Sequence, residues 1–83
     1  MEMIKRSEKR GLYLMPDKVD RKTALPVYQQ ICDQLRKELV LNGYQQGERF
    51  YSYRRLGELY KVEPRTITAA LEPLLRDGLL IKR

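Results

Sequence analysis

Apolar residues recur at helical spacing in three stretches of this chain. The first stretch predicts a helix that begins near Pro26, which suits a first helical position, and stops at Asn42-Gly43, since glycine tolerates the left-handed conformation after a helix end. Its inward stripe consists of Tyr28, Ile31, Cys32, Leu35 and Leu39. Because Cys32 lies within this stripe, we expect it to be a small core residue rather than a reactive thiol.

A second helix is predicted from Tyr53 to about Tyr60. Ser52 is its expected N-cap, because a serine hydroxyl can accept a hydrogen bond from a free amide of the first turn. The inward residues of this helix are Tyr53, Leu56, Leu59 and Tyr60. The segment Lys61-Val62-Glu63 forms a short break after it.

The third helix is predicted to begin at Pro64 and to end at Asp77-Gly78. It has the sharpest periodicity in the chain, and its apolar positions are Ile67, Ala70, Leu71, Leu74 and Leu75. Pro73 lies well inside this helix, where proline removes a hydrogen bond and clashes with the carbonyl four residues earlier. We therefore expect a kink or an early break near residues 69–72.

Two short segments have strand character. Arg49-Phe50-Tyr51 follows a predicted turn at Gly47, and Leu79-Leu80-Ile81 reads as a strand that enters the core. The pattern as a whole predicts a mainly α fold with a three-helix core and a small β element.

The first 22 residues show no helical or strand periodicity. Seven of the 17 basic residues lie here, against four acidic residues. We predict that residues 1–22 form a mobile basic tail and that residues 23–83 form one small domain. The alternative is that the tail is a basic arm that follows a phosphate backbone.

Composition limits the classes of function. A net charge of +6 favours a polyanionic partner, nucleic acid first and an anionic membrane surface second, although a solvated basic surface would have the same charge. One cysteine and no histidine leave no intrachain disulfide, none of the usual zinc ligands and no Ser-His-Asp or Cys-His constellation. We expect no enzyme, metal or cofactor, and a cytoplasmic protein, since no apolar run approaches a membrane span.

Three arginines occupy helix starts, where cations are unfavourable. Arg54 and Arg55 fall in the first turn of the second helix, and Arg65 falls in the first turn of the third. Each costs roughly 0.3–1 kcal/mol against the helix macrodipole. An external phosphate would reverse that balance. The alternative is pairing with Glu58, which we expect for one of the first two but not for all three arginines.

Two short helices joined by a tight break match a helix-turn-helix. In such a pair the second helix enters the major groove with its first residues at the base edges. There Arg65 can bind guanine or phosphate, and Thr66 and Thr68 can donate to phosphate or contact a thymine methyl. An ordinary helical bundle would show the same order of helices.

The order of these elements resembles the N-terminal DNA-binding domain of the GntR family of bacterial transcription regulators, over residues 25–83. The segments that carry the resemblance are "PVYQQICDQLRKELVLNGYQQGERF", "SYRRLGELYKV" and "PRTITAALEPLLRDGLL". The resemblance implies a winged helix-turn-helix, dimeric binding to a palindromic operator, and usually a C-terminal domain for a small-molecule effector. The chain stops at Lys82-Arg83, on what would be the first wing strand, so we expect either a fragment of a longer regulator or a truncated wing.

By position, the resemblance assigns DNA contacts to Ser52 and Arg54 at the start of the second helix, and to Arg65, Thr66 and Thr68 in the recognition helix. Arg55, Lys61 and Arg49 are further candidates on charge and placement. Many members of the family have arginine where Pro64 and Thr68 stand, so specificity is expected to depend more on Arg65 and Arg54.

The predicted function is sequence-specific binding of duplex DNA as the operator-reading domain of a bacterial regulator, with residues 64–77 in the major groove. We expect weak binding by this piece alone and a homodimer in the full-length protein. The alternative is a winged-helix module that binds another protein.

Overall fold

Three α-helices form the centre of the fold. The computed structural model describes residues 13–44 and 47–81. Within them lie a short 3-10 helix and three α-helices: Pro16–Lys18, α1 (Val27–Leu41), α2 (Tyr53–Tyr60) and α3 (Pro64–Arg76). The three predicted helices are confirmed, and α3 packs against both of the others.

The boundaries of α1 follow from its two end residues. Pro26 is the N-cap rather than the first helical residue, and its carbonyl accepts from the amides of Gln29 and Gln30 at 3.1 and 3.2 Å. At the other end Gly43 has a φ of +66°, the left-handed conformation that glycine adopts without strain. The predicted stop is confirmed.

The inward face of α1 differs from its predicted stripe at two positions. Tyr28 was expected in the core, but it is 40% exposed. The first buried residue of this helix is Ile31, almost one turn later. Glu38, which is not part of the predicted stripe, is fully buried. Its carboxylate accepts hydrogen bonds from Asn42 Nδ2 at 2.9 Å and from the Tyr44 hydroxyl at 3.1 Å, so the charge is compensated by donors inside the fold.

The core lies between the inward faces of the three helices. Its buried apolar residues are Ile31, Cys32, Leu35, Leu39, Leu56, Tyr60, Ile67, Ala70, Leu71 and Leu74. Burial raises the pKa of the Cys32 thiol against the opposing effect of Arg36, which agrees with the predicted core role. Burial also raises the pKa of the Tyr60 hydroxyl, and the Glu38 carboxylate and Tyr51 add to this increase.

A tight turn joins α2 to α3. Lys61 ends α2 in a left-handed conformation with a φ of +56°, and its amide and that of Val62 both donate to the Gly57 carbonyl. A side chain at Gly57 would bring a Cβ to 3.3 Å from the Val62 carbonyl oxygen. Glycine at this position therefore permits the close return of the chain into α3.

Helix α3 runs without interruption past Pro73, so the expected early break is wrong. The carbonyl of Pro73 still accepts from the Asp77 amide at 2.9 Å. Leu71 and Leu74, on either side of the proline, are both buried. Packing of this apolar face against the core holds the helix together where propensity alone predicts a break.

Neither predicted strand forms within residues 13–44 and 47–81. Leu79 and Ile81 are exposed, Ile81 by 75%, and neither their segment nor residues 49–51 pairs in a ladder. Phe50 instead packs edge-on against Tyr44 and Tyr51, with ring centroids 5.3 and 5.2 Å apart. Without a neighbouring strand, the amides and carbonyls of a single extended segment have no ladder partner. The small β wing is thus not seen in this part of the chain.

The described part of the predicted tail lies against the helices. Leu14 and Val19 pack on the core, and the amide and carbonyl of Met15 both bond to the side chain of Gln34, at 2.6 and 3.0 Å. Residues 1–12 lie outside the described residues. The division into a tail of residues 1–22 and a domain of residues 23–83 stays a prediction.

Candidate nucleic-acid interface

The first turn of α2 presents two cations to solvent. The Ser52 hydroxyl accepts from the Arg55 amide at 3.0 Å, which confirms the predicted cap. Arg54 is 90% exposed and Arg55 is 65% exposed. Glu58 lies one turn later, with its carboxylate 3.5 Å from Arg54 Nε and 3.9 Å from Arg55 Nη1.

The first turn of α3 has a similar arrangement. The Arg65 side chain is 88% exposed, and its Nε lies 3.2 Å from the carboxylate of Glu63, the N-cap residue. The amide of the half-buried Thr66 donates to the Glu63 carbonyl at 2.9 Å. The Thr68 hydroxyl donates to the Pro64 carbonyl at 3.1 Å, so its proton is already used within the helix.

All three arginines at the helix starts therefore have a carboxylate of their own chain within 4 Å. The expectation that only one of Arg54 and Arg55 would pair is wrong. Glu58 lies within 4 Å of both, and Glu63 gives Arg65 a carboxylate partner. The pairs are open to solvent, where such contacts contribute roughly 0–1 kcal/mol. A ligand phosphate can compete for each guanidinium at that cost.

The two remaining candidates lie outside these first turns. Lys61 is exposed in the turn between α2 and α3, and its left-handed backbone makes it a structural residue as well. Arg49 is exposed in the segment that precedes α2. Contact of any of the eight candidate residues with DNA stays a prediction.

An open groove of about 470 Å³ follows the outer face of α3. It is lined by Arg65, Thr68, Ala69, Glu72, Pro73 and Arg76, and by Tyr28 of α1. Glu72 pairs with Arg76 at 3.7 Å. The predicted site residues on α3 were only Arg65, Thr66 and Thr68 of its first turns, and the prediction did not include Tyr28, Glu72 and Arg76, which also line this groove. The spacing of three to four residues opposite the apolar stripe was a signal for the last two.

A comparison with known proteins shows similarity to a transcription regulator. The HTH-type transcriptional repressor YtrA of Bacillus subtilis (strain 168) is 33% identical to this chain over 63 residues. This similarity supports a GntR-like helix-turn-helix regulator. The resemblance stated from the sequence is thereby confirmed, and the helices α2 and α3 of this GntR-like chain fit a helix-turn-helix.

The match has definite limits. It covers 75% of the GntR-like chain but 48% of the repressor, so the chain spans about half the length of its curated relative. No family model matches the chain, and no solved structure matches it significantly. Within the two described ranges, none of the helices combines the length and hydrophobicity that a membrane span requires.

Proposed function

We propose that this GntR-like chain binds duplex DNA as the operator-reading part of a bacterial transcription regulator in the cytoplasm. One observation carries the proposal. A tight turn joins two short helices, and the first turn of each presents an almost fully exposed arginine, Arg54 at 90% and Arg65 at 88%. The similarity to a transcriptional repressor supports the same function.

In this proposal α3 lies in the major groove with its first turn toward the bases. Arg65 exchanges the Glu63 carboxylate for guanine or phosphate oxygens, and Arg54 exchanges Glu58 for phosphate. Because the Thr68 hydroxyl donates to Pro64, Thr68 offers its methyl group to thymine or its oxygen as an acceptor for a base amino group. The full-length protein binds a palindromic operator as a homodimer, with a wing and an effector domain supplied beyond the described residues.

The test starts from a selection of bound duplexes out of a random pool by the 83-residue chain. Fluorescence anisotropy on the selected duplex then compares Arg65→Ala with Lys37→Ala, an exposed cation on α1. We expect Arg65→Ala to cost roughly 1–3 kcal/mol on the selected duplex and less on a scrambled one. Affinity should fall steeply with salt through counterion release.

Equal losses for Arg65→Ala on both duplexes would make Arg65 a phosphate contact, and no loss would remove it from the site. Binding that Lys37→Ala weakens as much as Arg65→Ala would contradict the proposed interface.

A module that binds another protein is the second candidate. Two observations favour it: the three helix-start arginines are compensated by carboxylates, and Glu72 stands on the outer face of α3 beside Ala69 and Pro73. The dependence of binding affinity on salt concentration distinguishes the two functions. An interface that buries Ala69 and Pro73 would retain its affinity at high salt, whereas phosphate binding would lose it.

A further inference from the structure

We infer that a loop of residues 20–25, ahead of α1, is a second DNA-contacting element, with Lys22 placed on the phosphate backbone beside the amino end of α3. The inference rests on the proposed function and extends it to a segment whose residues 20–22 were predicted to belong to a mobile tail and whose residues 23–25 were predicted to begin the domain. We call residues 20–25 the amino-terminal loop.

A single side chain closes the amino-terminal loop at its base. Gln30 Oε1 accepts from the Asp20 amide at 2.8 Å, and Gln30 Nε2 donates to the carbonyls of Asp20 at 2.7 Å and Leu25 at 3.0 Å. The Asp20 side chain accepts from the Lys22 amide at 2.8 Å, which forms a tight turn inside the loop. The loop therefore has a defined conformation, so binding through it costs less conformational entropy than binding through a free tail.

One side of the amino-terminal loop is fixed to the helix-turn-helix. Arg21 Nη2 donates to the Tyr60 carbonyl at 3.1 Å, at the last residue of α2 and four residues before α3 begins. A cation is favourable at this position because the free carbonyls at a helix C-terminus carry partial negative charge. The loop thus lies beside the turn that leads into the proposed recognition helix.

The other end of the amino-terminal loop leads to the same surface. It runs through Pro26 into the first turn of α1, where Tyr28 lines the groove together with Arg65 and Thr68. One end of the loop is thus bonded to the last residue of α2, and the other continues into the helix whose Tyr28 lines the groove along α3, the helix that a helix-turn-helix presents to DNA. Exposure of Tyr28, contrary to its predicted burial, is part of this arrangement.

Lys22 is the residue of the loop best suited to a phosphate. It is exposed, and among the described residues no carboxylate lies within ion-pair distance of it, in contrast to Arg54, Arg55 and Arg65. Its hydrogen bond to the Asp20 side chain uses only the backbone amide. A phosphate therefore gains a full charge at Lys22 without displacing an internal partner, and substitution of the side chain leaves the loop closed.

The test compares two charge reversals of equal size, Lys22→Glu and Lys37→Glu. Lys37 is exposed on α1, nine residues after Tyr28, which places it about 13 Å along the helix and on its opposite side. Both variants lower the net charge equally, so a difference between them reports position rather than total charge. Anisotropy titrations use the 83-residue chain and a mixed-sequence duplex of about two helical turns.

The variant Lys22→Ala measures how much the Lys22 side chain contributes to DNA affinity. Loss of one phosphate contact should weaken binding roughly tenfold at 50 mM salt and roughly threefold at 200 mM, equally for every duplex sequence, with the salt slope reduced by about one unit. Lys22→Glu should weaken binding more than Lys37→Glu does. In a Gln30→Ala background, where the loop is released, Lys22→Ala should cost less than half as much on a logarithmic scale.

Equal effects of Lys22→Glu and Lys37→Glu would overturn this inference, as would an unchanged salt slope in Lys22→Ala. If Arg65→Ala still impaired binding in that case, the proposed function would stand without the loop. An unaltered chain that showed no salt-dependent duplex binding would instead refute the proposed function itself.

Discussion

Removal of the Glu63 carboxylate should weaken the fold and strengthen DNA binding at the same time. Glu63 is the N-cap of α3, and its side chain makes no capping hydrogen bond there. Its carboxylate lies 3.2 Å from Arg65 Nε, the guanidinium proposed to contact DNA. Glu63→Gln retains the size of the side chain and removes only its charge, on which both effects depend.

The stability effect has two sources. A carboxylate near the amino end of a helix is stabilising by roughly 0.3–1 kcal/mol, and an exposed ion pair adds roughly 0–1 kcal/mol. We therefore expect Glu63→Gln to lower the free energy of unfolding by about 1 kcal/mol, which for a domain of this size lowers Tm by about 4–8 °C.

The affinity effect has the opposite sign. In the complex Arg65 must leave Glu63, so the unaltered chain loses the pair on binding, whereas Glu63→Gln has no pair to lose. An exposed pair of roughly 0.2–1 kcal/mol corresponds to a gain of about 1.4- to 5-fold in affinity. A carboxylate also repels nearby phosphates, and its removal adds to the gain at low salt.

Thermal unfolding and duplex anisotropy on the same preparations measure both effects. Asp33→Asn is the matched control, because Asp33 is an exposed carboxylate on α1 and its loss changes the net charge by the same amount. Affinity that falls or stays constant in Glu63→Gln would refute the exchange of Glu63 for DNA. A gain of equal size in Asp33→Asn would attribute the effect to total charge.

Three further predictions concern the helices that carry the interface. Ser52→Ala should lower the stability by about 1 kcal/mol in urea unfolding, because it removes the acceptor of the Arg55 amide; an unchanged midpoint would contradict the cap. Because the pKa of Tyr60 is raised, the folded state retains its proton where the unfolded state loses it, so stability should fall by up to about 1.4 kcal/mol per pH unit above about pH 10. Tyr60→Phe should lack this part of the alkaline loss, and parallel pH profiles of the two proteins would exclude it. Pro73→Ala restores an amide donor for the carbonyl of Ala69 and should therefore stabilise the fold by as much as about 3 kcal/mol. Differential scanning calorimetry should show a higher Tm. A lowered Tm would show that proline fits this site better than alanine.

The helices could be predicted from the sequence because their signals are local. The apolar spacing of α3, the serine cap of α2 and the glycine after α1 each act within one or two turns, so the order of residues contains the whole signal. The position of Arg54 and Arg65 at helix starts follows from the same local rules. The GntR resemblance likewise depends on linear order, which is why it was visible without a structure.

Tertiary packing decided the rest. Burial of Glu38, exposure of Tyr28 and continuity of α3 through Pro73 depend on which neighbours surround each residue, and the local sequence pattern predicted none of the three. The strand predictions failed for the same reason, because a strand exists only through its pairing with another strand.

The amino-terminal loop is the clearest contrast between the two levels. In the sequence, residues 20–25 are an aperiodic basic stretch, since hydrogen bonds between Gln30 and a segment ten residues earlier leave no periodic pattern. Arg21 meets the Tyr60 carbonyl across 39 residues of chain. The sequence alone thus determined the helices and their charged ends, and only the folded chain decided which surface they share, because contacts between distant residues follow from packing rather than from spacing.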